Sequence, residues 1–160
     1  MEEKYFKEEE QEAVKNSLFQ TKNVSNNPFD LNKLSGRQTF CKEERLKRAV
    51  LIDKLFNEGK ALHSNNLTLI FLPLSLDSIY PAQCTFSVPK KNFKSAVSRN
   101  TLKRRMREAY RKNKILLYQT LAAKNTQLAL GWIFRSKKES DFNVIEQDML
   151  VAIEKLQKLI

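Results

Sequence analysis

The stretch SRNTLKRRMREAYRKNK, Ser98 to Lys114, holds eight Lys or Arg residues and one acid, Glu108. It has no Gly or Pro, so its propensity is helical, and Ser98 is the predicted N-cap. On a wheel at roughly 100° per residue, Leu102, Met106, Ala109, Tyr110, Leu116 and Leu117 form one apolar stripe. Arg99, Asn100, Lys103, Arg104, Arg107, Arg111 and Lys114 form a second stripe beside it, with Arg105 and Lys112 near Glu108 on the outer side. Such a helix docks on a sheet by one side and presents a basic ridge on the other. Like charges on adjacent turns repel by a few tenths of a kcal/mol per pair, and a purely solubilising face would mix signs. The bias toward Arg suits phosphate oxygens, which the guanidinium fork binds bidentately. The ridge therefore predicts a polyanionic partner.

The rest of the composition agrees. The chain has 160 residues, a net charge of +11 and 41% hydrophobic residues, enough for one domain with a modest core plus tails. Leu67 to Leu76, the most apolar run, contains Pro73 and is too short to cross a bilayer. The acidic opening MEEKYFKEEEQ does not read as a signal peptide. Two cysteines, Cys41 and Cys84, make no disulfide framework, and one histidine, His63, makes no zinc set. A cytoplasmic protein with reduced thiols is expected, with no membrane partner.

Residues 1–36 carry seven acids and five lysines, a net of −2. Taking that from +11 leaves +13 on residues 37–160. With the turn-rich TKNVSNNPFDLNKLSG, this predicts a mostly disordered leader over 1–36 and a folded domain over 37–160. A helix is expected from Glu43 to Glu58, begun by Thr39 or Cys41 and stopped by Gly59. It is apolar on more than one side: Leu46 and Val50, Ile52 and Phe56, Leu51 and Leu55. Its acids, Glu43, Glu44, Asp53 and Glu58, read as exposed positions. Leu67–Leu74 and Ala82–Lys90 read as strands. The second alternates Ala82, Cys84, Phe86 and Val88 against Gln83, Thr85 and Ser87, a small uncharged face that suits a surface beside a bound polymer. Gln127–Arg135 reads as a third strand. Asp141–Ile160 reads as a helix with Asp141 as N-cap and a stripe of Phe142, Ile145, Met149, Ile153, Leu156 and Ile160. The pattern is α+β, one small sheet packed with helices.

Nuclease chemistry is not legible in these residues. No paired-carboxylate motif falls in a core strand or loop, and His63 stands alone. A leucine zipper is disfavoured because the heptads stop after Lys114, and helix-turn-helix because a strand precedes the basic helix. RNA is the expected partner, not DNA. A ribosome-associated RNA-binding module is the alternative function.

RNTLKRRMREAYR, residues 99–111, resembles the signature of the bacterial ribonuclease P protein component. RLKRAVLIDKLFNEGK (45–60) resembles the family's first helix, and FSVPKKNFKSAVSRN (86–100) the strand and loop before the signature. The resemblance covers roughly residues 38–158. It implies the element order α-β-β-β-α-β-α, similar to the ribosomal protein S5 domain 2-like fold. It also implies an RNA-binding subunit of an endoribonuclease holoenzyme whose chemistry lies in a catalytic RNA. That holoenzyme removes the 5′ leader of precursor tRNA with Mg²⁺ held mainly by RNA. By this likeness Lys90, Lys91, Arg99, Asn100, Lys103, Arg104 and Arg107 fall at RNA-binding positions, and Arg111 continues the ridge. The leader would lie in a cleft that includes Ile52 and Phe56, beside Thr85 and Ser87. Thr101, Ile52 and Pro89 depart from the family's usual residues.

Overall fold

The computed structural model describes residues 39–160, so the leader expected over 1–36 lies outside the described residues. The elements are α1 (Ala49–Glu58), β1 (Lys60–His63), β2 (Leu67–Pro73), β3 (Ala82–Ser87), α2 (Ala96–Ala123), β4 (Leu128–Phe134) and α3 (Phe142–Leu159). They form one α+β domain around a four-stranded sheet of order β1-β2-β4-β3. The β1–β2 and β2–β4 pairs are antiparallel, while β3 and β4 run parallel and are joined through α2. The expected element order is the observed one, although Lys60–His63 carries no strand pattern of its own.

Strand alternation sends residues to two different layers. Leu67, Leu69 and Phe71 of β2, Ala82 and Cys84 of β3, and Leu128, Leu130, Trp132 and Phe134 of β4 enter a core closed by α2 and α3. On the opposite face, Leu55 of α1 packs with Leu46 and Ala129, flanked by Leu51, Ile52, Ile70 and Leu72. Two glycines permit this second layer. A Cβ on Gly59 would stand 2.3 Å from the Leu55 carbonyl oxygen and 2.6 Å from Ile70 Cγ2. One on Gly131 would stand 3.3 Å from Leu55 Cδ2 and 3.7 Å from the Phe56 ring.

The first helix starts six residues later than expected, and neither Thr39 nor Cys41 begins it. Glu44 closes a turn and Arg45 bridges to Cys84 as the chain extends, with strict alternation over 44–47: Glu44 and Leu46 buried, Arg45 and Lys47 exposed. Cys84 donates its N–H to the Glu44 carbonyl (2.8 Å), and Leu46 donates to the Cys84 carbonyl (3.0 Å). The segment thus covers the open edge of β3, and a covered edge is protected from stray pairing. Val50, expected on an apolar side, is 77% exposed.

The basic helix is longer than the wheel assumed. Its 28 residues follow the N-cap Ser95, whose Oγ accepts from the Ser98 N–H, so Ser98 is capped rather than capping. It ends before Asn125 (φ 48°), a left-handed position that Asn tolerates. Leu102, Met106, Ala109, Tyr110 and Leu117 are buried as the stripe requires, but Leu116 is exposed. In α3, Asp141 occupies the N-cap without a side-chain cap bond. Asp148 is buried there and accepts from Asn66 through both the backbone N–H (3.0 Å) and the side-chain amide (2.7 Å).

Candidate nucleic-acid interface

The ridge of α2 divides into three parts. At its centre, Arg104 and Arg107 are exposed and Lys103 is half-buried, and none of the three makes a hydrogen bond or ion pair with the described residues. Arg111 grips Glu108 through two hydrogen bonds of 2.7 and 2.8 Å, which holds the Glu108 carboxyl below the usual carboxylate range. Arg99 turns backward and donates to the carbonyls of Phe93 (2.8 Å) and Lys94 (2.7 Å), bracing the loop that enters the helix. Asn100 is exposed beside it, and Lys90 and Lys91 are exposed in the preceding turn. Arg105 and Lys112 lean toward α3: Arg105 donates to Ser140 O at 2.8 Å, and Lys112 lies 3.7 Å from Glu146 and over the Phe142 ring.

Lys114 leaves the ridge altogether. It is 4% exposed and ion-paired with Glu44, which is fully buried rather than the exposed helix position expected from sequence. Glu44 Oε1 also accepts from the Tyr118 hydroxyl (2.6 Å), and Oε2 accepts from the Cys41 N–H (2.6 Å). Lys114 donates further to Thr39 O at 2.6 Å. A buried ion pair is tolerable only when its remaining polar atoms are satisfied in this way. The signal that could have found it was the two-residue alternation from Glu44 to Lys47, masked by helix-forming residue types.

On the α1 face of the sheet, register places Gln83, Thr85 and Ser87 of β3 beside Ala129, Gly131 and Ile133 of β4. Thr85 and Ser87 are half-buried and carry no charge. Phe56, 42% exposed, stands over Gly131, and half-buried Ile52 lies one helical turn earlier. The four residues assigned to a cleft thus belong to the same face of the sheet and the helix crossing it.

Two grooves run along the ridge. The larger, about 650 Å³, is lined by Thr39, Phe40, Arg45, Arg104, Arg105, Arg107, Glu108, Arg111 and Phe142. The smaller, about 220 Å³, includes Phe40, Arg45, Lys47, Thr85, Phe86, Lys103 and Arg107. Sequence reasoning named no role for Phe40, Arg45 or Lys47, because it placed Arg45 and Lys47 inside a helix. Among the described residues, no cluster of three His, Cys, Asp or Glu side chains is arranged to hold a metal ion.

The family model described as Ribonuclease P matches residues 40–157. The chain belongs to the ribonuclease P protein family. The ribonuclease P protein component of Porphyromonas gingivalis W83 is 35% identical over 108 residues, covering 68% of this chain and 79% of that one. That of Petrotoga mobilis is 30% identical over 127 residues, covering 75% and 97%. The solved RNase P protein from Thermotoga maritima superposes with a TM-score of 0.54 at 27% identity, over 70% of this chain and 96% of that one. The ribonuclease P match begins at Phe40, so it includes the extended segment that carries Glu44 and Arg45.

Proposed function

We propose that this chain is the RNA-binding protein subunit of ribonuclease P. In that role it assists a catalytic RNA in the Mg²⁺-dependent endonucleolytic removal of the 5′ leader from precursor tRNA. The observation that carries the reading is the adjacency of two unlike surfaces. Lys103, Arg104 and Arg107 project without carboxylate partners among the described residues, and Lys103 and Arg107 share a groove with Thr85 on the uncharged sheet face. The cations neutralise phosphates where two RNAs meet, and the neutral face with Phe56 accepts unpaired bases by stacking. The likeness to the family assigns the Mg²⁺ of this reaction mainly to RNA, and no step here runs through a protein-bound ion.

The test is cleavage of precursor tRNA by the cognate catalytic RNA, with and without the chain, across a Mg²⁺ series. The chain lowers the Mg²⁺ requirement and cleaves nothing by itself. Lys103→Gln/Arg104→Gln/Arg107→Gln lowers the slope of log affinity against log salt by roughly 2, at about 0.7–0.9 per lost contact. Its melting temperature stays near the parent's, as expected for surface changes of about 0.5 kcal/mol or less. Cleavage by RNA-free protein, or an unchanged Mg²⁺ requirement, refutes the reading.

A further inference from the structure

Phe40, Arg45 and Arg107 line both grooves, so the two meet end to end at these three residues. One wall is the ridge of α2, and the other is the extended segment that precedes α1. Alternation along that segment buries Glu44 and Leu46 and leaves Arg45 and Lys47 facing outward. The Arg45 guanidinium lies 5.6 Å from the centre of the Phe40 ring. That ring is wedged edge-on against Phe86 (5.7 Å) and Tyr110 (5.8 Å), which makes it a fixed platform. The backbone of the segment is held by Cys84 and by the buried Glu44–Lys114 pair. Arg45 and Lys47 make no ion pair with the described residues, and Glu108, the one acid among the described residues that lines the grooves, is occupied by Arg111.

We propose that residues 44–47 form the second wall of a phosphate track, with Arg45 and Lys47 set across from Lys103, Arg104 and Arg107. Its occupant is the phosphodiester backbone of a single RNA strand, running from the start of α3 to the cleft face of the sheet. This rests on the RNA-binding reading above and adds residues to it. The shape argues for a strand over a lone anion, because the cations continue from one groove into the next. The larger groove alone has the size of a small-ligand site, about 300–1,000 Å³. The Phe40 and Phe86 rings on the same path offer faces for sugars and bases.

The experiment measures a labelled short oligouridine by fluorescence anisotropy over a salt series, using the full chain. Arg45→Gln/Lys47→Gln is expected to lower the slope of log affinity against log salt by roughly 1.4, about 0.7 for each single-strand contact. Arg45→Lys/Lys47→Arg keeps the charges and retains most of the slope, and melting curves show that each variant is folded. Lys155→Gln/Lys158→Gln removes two cations at the far end of α3 and is expected to change little. An equal loss in that control, or displacement of the oligouridine by polyglutamate as readily as by unlabelled RNA, overturns the proposal. If Lys103→Gln/Arg104→Gln/Arg107→Gln weakens binding while Arg45→Gln/Lys47→Gln does not, the second wall is refuted and the RNA-binding reading stands. If neither variant changes binding, both fail.

Discussion

Lys114→Met is the sharpest perturbation of this fold, because the residue looks like one more surface cation and is not. Met keeps the unbranched stem but removes the ammonium. Glu44 would then keep Tyr118 and Cys41 as donors and lose its only charged partner among the described residues, at a site of 0% exposure. Breaking a buried pair by removing one member costs about 3–5 kcal/mol. The Thr39 carbonyl also loses its lysine donor. For a domain of this size, about 3–5 °C per kcal/mol is expected, which makes the fall in melting temperature on the order of 10–20 °C. The assay is urea unfolding followed by near-ultraviolet circular dichroism of buried Trp132, completed as a double-mutant cycle with Glu44→Gln. Removing both charges together spares the uncompensated carboxylate, so the coupling is expected at about 2–3 kcal/mol. Lys112→Met, at the partly exposed pair with Glu146, is expected to cost less than about 1 kcal/mol. If Lys114→Met behaves like Lys112→Met, or if the double variant equals the sum of the singles, the buried pair does not hold the segment as argued.

Phe56→Ala is expected to weaken precursor tRNA binding by about 5- to 150-fold relative to mature tRNA, the equivalent of about 1–3 kcal/mol for one stacked base; an unchanged ratio with a large drop in melting temperature would make Phe56 a core residue instead. The alkaline limb of stability is expected to be set by buried protons. Burial pushes the Cys84 thiol well above its ordinary 9.0 and the Tyr110 and Tyr118 hydroxyls well above their ordinary 10.0. The folded state then keeps protons that the unfolded chain releases, so stability is full below about pH 8.5 and declines as pH rises through about 9 to 11. Cys84→Ala should make the earliest part of that decline shallower in thermal melts between about pH 8.5 and 10; a decline of unchanged steepness removes Cys84 from the account.

Local patterns carried most of the fold. The alternation of β3 and the stripe of α3 were readable because one period runs through each whole element. The segment 43–48 was misread because Glu, Arg, Leu and Lys favour helix, while its conformation is set by an edge strand 38 residues away in sequence, through the Cys84 hydrogen bonds. The same non-local contact took Lys114 off the ridge, since a wheel shows angle but not which neighbour will arrive. β1 escaped the pattern because four residues, only one of them half-buried, are too few to show a period. The comparison with ribonuclease P proteins identifies the family, but the second wall of the grooves is visible only in three dimensions.

Arg99 shows how the fold keeps the two surfaces in fixed relation. The neutral face ends at Ser87 and the basic helix begins at Ala96, so their relative placement depends on the short connection between them. Three contacts stiffen it. Arg99 bonds the Phe93 and Lys94 carbonyls, Phe93 packs against Phe134 with ring centres 5.7 Å apart, and the Asn92 side chain donates to Arg135 O (3.1 Å) and Ser136 O (3.3 Å). A cation spent on two carbonyls is less available to phosphate than Lys103 or Arg107, which have no such partners among the described residues. The first arginine of the signature therefore braces the entrance of α2 in this structure. A loss at Arg99 would disturb cleft and ridge together, whereas a loss at Lys103 removes one charge and leaves the geometry standing.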